Sequence, residues 1–266
     1  VTHSGSVFSA MLRSRRRIGF SVAVSSGQEL VTTTAAYARY ALGLPETRVL
    51  ALVLEAIRDA GMLRAVLAGA AAADVPVVLL AAGCSAAGRE LVSAHSGALA
   101  AGDGAWEALA DAYGVHRVGD LAELADLLEL LALGRRGTGR RAGAAPGRVA
   151  GSGIATIHDS GLERAHIADL AGQLAVPFAA IGARTRDRLA ALLDPGLEPA
   201  NPLDMWGTGR DAEQQLAGSL TVMSEDPAVA AVALAVDLVP EFDGDQSYQQ
   251  AVLAAAARSS KPVAVL

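Results

Sequence analysis

The sequence predicts an α/β protein of two units, each a parallel sheet covered by helices on both faces. Three observations carry this. Continuous apolar runs such as Val49–Leu54, Val75–Ala82 and Val229–Val236 recur along the chain, and runs of this kind mark strands buried on both faces. Longer stretches between them read as helices, so strand and helix alternate. The alternation breaks once, across a Gly- and Arg-rich segment at 134–150 with no apolar period, and then restarts. That gives a first unit at 1–133, a linker at 134–150 and a second unit at 151–266.

In the first unit, Val1-Thr2-His3-Ser4-Gly5-Ser6 supplies small polar residues ahead of the amphipathic stretch Val7–Arg17. They suit a helix start whose free N–H groups can hold an anion. Phe20–Ser25 reads as a short strand, Ser26-Gly27-Gln28-Glu29 as a turn and Leu30–Leu42 as a helix. Val49–Leu54 is a buried strand with Glu55 at its carboxyl end, followed by a helix over Arg58–Ala73 and a strand over Val75–Ala82. Ser93–Gly104 reads as a loop of small residues carrying His95, Ser96 and Gly97, and its glycines permit tight turns and close approach to a ligand. A helix over Ala105–Tyr113, a strand over Val115–Val118 and an apolar helix over Leu121–Leu133 complete the unit.

The second unit opens with a strand at Gly153–Ile157 and the turn His158-Asp159-Ser160-Gly161. Next come a helix over Leu162–Leu174, a strand over Val176–Ala180 and a helix over Thr185–Leu193. Asp194–Asp204 is irregular and contains Asn201, Pro202 and Asp204. Asp211–Ser224 and Gln246–Arg258 read as helices, Val229–Val236 and Pro262–Leu266 as strands.

Composition narrows the function classes. The chain has 266 residues, 52% of them hydrophobic, which supports a sizeable core. No apolar run approaches the roughly 20 residues of a membrane span. A net charge of −6 argues against a general nucleic-acid binder. The single Cys84 excludes an internal disulfide and a multi-cysteine metal site. No secretory signal is visible, so a cytoplasmic location is expected, and the abrupt Val1 suggests a piece of a longer protein.

Ligands of open parallel sheets lie beyond the carboxyl ends of the strands. Thr2–Ser6, Glu55, His95 and His158–Gly161 are all expected there. A histidine facing two helix N-termini, with a strand-end carboxylate near, suits phosphoryl relay: helix N-termini stabilise an anion, and a carboxylate on one ring nitrogen makes the other more nucleophilic. The plainer alternative for His95 is an ordinary structural bond. His158 suits either a phosphate contact or a turn cap. His3, His116 and His166 read as surface or structural residues, and Asp237, Glu241, Asp243 and Asp245 as an acidic loop rather than a metal site.

Five stretches make the chain similar to a known family: Val1–Ser6; Val49–Ile57; Pro76–Gly104; Tyr113–Val118 with Leu121–Leu128; and Pro199–Asp204. They resemble the NDP-forming acyl-CoA synthetase superfamily, the ADP-forming acetate–CoA ligases and succinyl-CoA synthetases. The resemblance implies two flavodoxin-like domains of doubly wound parallel sheet. It implies a phosphohistidine at His95 with Glu55 bonded to it. It puts phosphate contacts at Thr2, Ser4, Gly5, Ser6, Ser96, Gly97, Ser160 and Gly161, with Gln28, His158, Asp159, Asn201 and Asp204 lining the site. No metal ligand is expected in this chain.

The implied reaction is acid + CoA + ATP ⇌ acyl-CoA + ADP + phosphate. Coenzyme A and ATP/ADP with Mg²⁺ would be held mainly by a CoA-binding domain and an ATP-grasp domain, on the same polypeptide or another subunit. The implied partners are those domains and a small carboxylic acid, with no nucleic acid or membrane, in a homo- or hetero-oligomer. The chain departs from the family pattern at Asp159, which adds an acid to a turn that is usually Gly-rich. That departure keeps open a non-catalytic, ligand-sensing module, for example fused to an acetyltransferase domain, and a plain interaction scaffold.

Overall fold

A computed structural model describes residues 1–16, 18–97, 102–132, 153–236 and 246–266. They fall into two compact units on either side of the 134–150 segment, which lies outside the described residues, as do 237–245.

The first unit is built on a parallel sheet, β1 (Leu50–Leu54), β2 (Val77–Ala81) and β3 (His116–Val118), in that order. Thr2 extends its β1 edge by bridging both Ser25 and Val53. Among the described residues six helices accompany the sheet: α1 (Gly5–Arg13), α2 (Thr34–Leu42), α3 (Ala60–Ala72), α4 (Ala86–Ser96), α5 (Asp103–Tyr113) and α6 (Leu121–Ala132). Alternation along β2 divides the core. Val77 and Leu79 pack with Leu52, Leu54, Leu67 and the fully buried Trp106, while Val78 packs with Leu124 and Leu128 of α6. A sheet covered on both faces makes both alternating sets apolar, hence the continuous runs in the sequence.

The second unit is a parallel sheet in the order β5 (Leu203–Asp204), β4 (Gly153–His158), β6 (Val229–Leu234), β7 (Val263–Val265), with α7 (Gly161–Gln173), α8 (Ala183–Ala190), α9 (Ala212–Glu225) and α10 (Ser247–Arg258). Its core joins Ile157, Leu189, Leu203, Leu220, Met223 and Leu234. A buried polar clamp ties α8 to the β7 end. The Asp226 carboxylate accepts from Thr185 Oγ1 at 2.6 Å, Gly182 N at 2.8 Å and Ala228 N at 2.9 Å, and Lys261 Nζ donates to the Asp226 carbonyl. Burial alone pushes the Asp226 carboxyl up, but these donors and the Lys261 charge hold it below its ordinary value.

Three expectations are corrected. Phe20–Ser25 is not a strand: only Ser25 pairs, in a single bridge to Thr2, because the neighbouring Val1–Thr2 segment turns into α1 directly after it. Val176–Ala180 likewise makes one bridge, Phe178 to Ile154. There the Asn201 amide takes over the ladder, donating to Ile154 O at 2.9 Å and Ala179 O at 3.0 Å and accepting from Thr156 N at 3.1 Å.

The third correction concerns His95. The first part of the expected Ser93–Gly104 loop is the last turn of α4, a helix absent from the sequence reading. Ser85 caps its start by accepting from Gly88 N at 3.0 Å, and Gly97 closes it at φ +62°. Between them Ala86, Ala87, Arg89, Glu90, Leu91 and Ala94 are good helix formers, so the small residues read as loop continue the helix. Residues 98–101 lie outside the described set.

Candidate active site

β1 ends at Leu54 and delivers Glu55 to the carboxyl edge of the first sheet. α4 ends nearby and presents His95, whose Nδ1 lies 3.9 Å from Glu55 Oε2. The two side chains differ in exposure: 78% for His95 and 20% for Glu55. The imidazole is thus open to a reactant, while the carboxylate has a fixed seat. That distance is an ion-pair contact, longer than a hydrogen bond.

α1 begins at the same edge. Ser4 caps it by accepting from Val7 N at 3.3 Å, and Ser4 N donates to Thr2 Oγ1 at 3.0 Å. The N–H groups of Gly5 and Ser6 fall in the first turn, where no intrahelical acceptor exists, so the end carries partial positive charge. Gln28 is exposed in the turn before Glu29, and Gly97 donates to Ser93 O at 3.0 Å. Ser96 is the last residue of α4.

Two residues outside the predicted site lie within it. His3, expected at the surface or in a structural role, is 9% exposed in its side chain and pairs through Nε2 with Glu29 Oε1 at 2.7 Å. Its Nδ1 accepts from Glu55 N at 3.2 Å. His3 stands directly before the Ser4 cap, which is a usable signal. Glu29 has none, because its 2%-exposed side chain depends on a backbone at φ +58° that no residue type there announces.

The second unit has a comparable capped helix start, here following a strand. β4 ends at His158, which is fully buried, with Nε2 2.9 Å from Thr156 Oγ1. Burial pushes the imidazole below its ordinary value despite the Ala235 backbone and the Asp204 and Asp159 charges, so it is neutral. Ser160 caps α7 by accepting from Glu163 N at 3.2 Å. Two carboxylates share this start. Asp159 accepts the Tyr248 hydroxyl, and Asp204 Oδ2 lies 3.2 Å from where a Cβ on Gly161 would stand. Asp204 is beside His158 in the β4–β5 register, and its Oδ1 accepts from Trp206 N at 3.2 Å. Asn201 is committed to the backbone bonds described above.

Neighbouring features lack this chemistry. Burial, with the Asp103 charge, pushes the Cys84 thiol up and keeps it protonated. A cavity of about 240 Å³ between α1, residues 18–24 and β1 is lined by Phe8, Met11, Ile18, Val22 and Leu128, and of the predicted site residues it touches Thr2 alone. Among the described residues, no group of three or more His, Cys, Asp or Glu is placed to hold a metal ion, and no helix is long and apolar enough to cross a membrane.

Residues 1–131 match the model of the succinyl-CoA ligase-like flavodoxin domain. The match spans the first unit, just under half of the chain. The ADP-forming acetate–CoA ligase I of Archaeoglobus fulgidus is 27% identical over 245 residues, 91% of this chain and 33% of the relative. A trans-feruloyl-CoA synthase from an unknown prokaryotic organism is 25% identical over 83% of this chain and 30% of its own. Among solved structures, the dinucleotide-forming acetyl-coenzyme A synthetase 1 of Ca. Korarchaeum cryptofilum, in complex with phosphate and ADP, superposes with a TM-score of 0.80. It is 18% identical, covering 99% of this chain and 55% of that one, which establishes the fold. The chain therefore spans about a third of the curated relatives' length. The α/β, parallel-sheet, flavodoxin-like reading of the sequence holds.

Proposed function

We propose that this chain is the phosphoryl-carrying part of an ADP-forming acyl-CoA synthetase and that His95 is the carrier. One observation carries the reading: an exposed imidazole stands beside a seated strand-end carboxylate, in the unit that also holds the free N–H groups of α1. Phosphate displaces CoA from an acyl-CoA to give an acyl phosphate. His95 Nε2 attacks its phosphorus, the P–O bond to the acyl group breaks and the acid leaves as carboxylate. Nδ1–H donates to Glu55, which offsets the positive charge that develops on the ring. The N–H groups of Gly5 and Ser6 at the start of α1 face the phosphoryl oxygens. ADP then takes the phosphoryl group from Nε2 and becomes ATP.

CoA, the acid and the nucleotide would sit largely on CoA-binding and ATP-grasp domains beyond this chain, in an oligomer that draws on cytoplasmic CoA and ATP pools. Mg²⁺ would accompany the nucleotide, held by one or two carboxylates and the phosphates. The family resemblance, the fold match and the relatives' shared CoA-ligase chemistry support this reading.

A second reading, a ligand-sensing module without turnover, is favoured by Asp159 and Asp204 at the α7 start, where carboxylates repel phosphate. Incubation of the complete protein with radiolabelled ATP separates the two. Acid-labile, base-stable label that disappears in His95→Ala is the expected result. Absence of label under every ATP and acyl-CoA condition would sink the relay and leave the sensor.

A further inference from the structure

The β1 edge contains a substitution that the relay reading does not use. Val53 N donates to Val1 O at 3.0 Å and His3 N donates to Val53 O at 3.0 Å, a parallel ladder in register. The next N–H on that edge is that of Glu55, and a continuing ladder would offer it the His3 carbonyl. The chain has already turned toward α1 at Ser4, so the His3 ring supplies the acceptor, Nδ1 at 3.2 Å. The imidazole stands in for a strand carbonyl at the residue whose carboxylate faces His95.

The tautomer follows. A ring nitrogen that accepts carries no proton, so the neutral ring is protonated at Nε2, which faces Glu29 Oε1 at 2.7 Å. Glu29 holds that carboxylate in place from the left-handed region, φ +58°, a conformation that non-glycine residues keep only where their surroundings fix it. Both ring nitrogens are occupied and the side chain is almost buried, so His3 is no nucleophile.

We infer that His3 and Glu29 form a positioning pair that sets the Glu55 backbone, and with it the Glu55 carboxylate, against His95. This rests on the proposed relay for its kinetic consequence but not for its geometry. Glu29 orients the ring, the ring fixes the Glu55 N–H, and the side chain beyond that N–H is the one that meets the carrier histidine.

The test has a structural and a kinetic arm, both on the complete protein. Nitrogen NMR of histidine-labelled protein at neutral pH is expected to find His3 Nδ1 unprotonated and Nε2 protonated. The reverse tautomer, or an average of the two, overturns the pair. In the kinetic arm, His3→Ala is expected to slow labelling of His95 about tenfold at saturating donor with unchanged half-saturation, the effect of one lost hydrogen bond. His3→Asn places a carbonyl oxygen where Nδ1 stands and is expected to restore the rate to within about threefold of the parent. A wild-type rate in His3→Ala, or equal losses in the two variants, overturns the inference. If the parent protein takes no label, the relay fails and the pair is judged on hydrogen exchange at the Glu55 amide. Exchange that accelerates in His3→Ala but not in His3→Asn supports the pair, and exchange unchanged in both overturns it.

Discussion

In each unit a segment paired to the sheet leads through a histidine, a serine cap and a glycine into a helix. Thr2-His3-Ser4-Gly5 and His158-Asp159-Ser160-Gly161 are built to one plan, with Ser4 and Ser160 accepting from the residue three positions on. They differ in the charge around them. At α1 both nearby carboxylates are engaged by histidines, Glu29 by His3 and Glu55 by His95. At α7 two carboxylates stand by the start: Asp159, held by Tyr248, directly before the Ser160 cap, and Asp204 of β5, close to Gly161. The histidines differ in the same sense, since His3 reaches Glu55 whereas His158 is buried against Thr156. One backbone plan thus serves an end free to meet an anion and an end already supplied with negative charge.

The most severe way to break this comparison is Glu55→Gln, which removes the charge facing His95 while keeping size. Labelling of His95 is expected to fall about ten- to a hundredfold, the range for losing a hydrogen bond to a charged group. No equivalent loss is expected from Asp204→Asn, and rapid-quench labelling of the two variants side by side measures the asymmetry. The caps sharpen it further. Ser4→Ala and Ser160→Ala should each lower stability by about 1 kcal/mol in urea denaturation. Only Ser4→Ala should also slow labelling, so equal kinetic losses would mean that both starts hold phosphate.

The smallest effect concerns pH. Burial depresses the His158 imidazole from its ordinary 6.5, so the unfolded chain binds its proton first. Its contribution to second-unit stability is complete above pH 6.5 and is lost as pH falls from there through the folded value. His158→Gln should flatten that slope in denaturation curves taken across the interval, with no change above it.

Much of the fold was legible in the sequence because strands buried on both faces leave continuous apolar runs, and Leu50–Leu54 and Val77–Ala81 are such runs. The turn–helix starts were legible because caps are local: Ser4 and Ser160 mark them within three residues. α4 was not, because alanine and serine near His95 suit a loop and a helix alike, and the decisive signals were the distant Ser85 and the terminal Gly97. Nor was the His3–Glu29 pair, whose partners lie 26 residues apart and meet only through a left-handed backbone at Glu29. The end of the Val176–Ala180 ladder was hidden for a similar reason, since it depends on the Asn201 side chain arriving from another segment.

Lys261 is the only lysine among the 266 residues, and its amine lies under the Asp226 clamp with 6% of the residue exposed. The chain therefore contains a single-site chemical footprint of its own. Reagents that modify side-chain amines find one target, and they reach it only when the β7 end of the second unit comes apart. The rate of that one acylation, read by mass spectrometry, times the opening of the clamp without any engineered label.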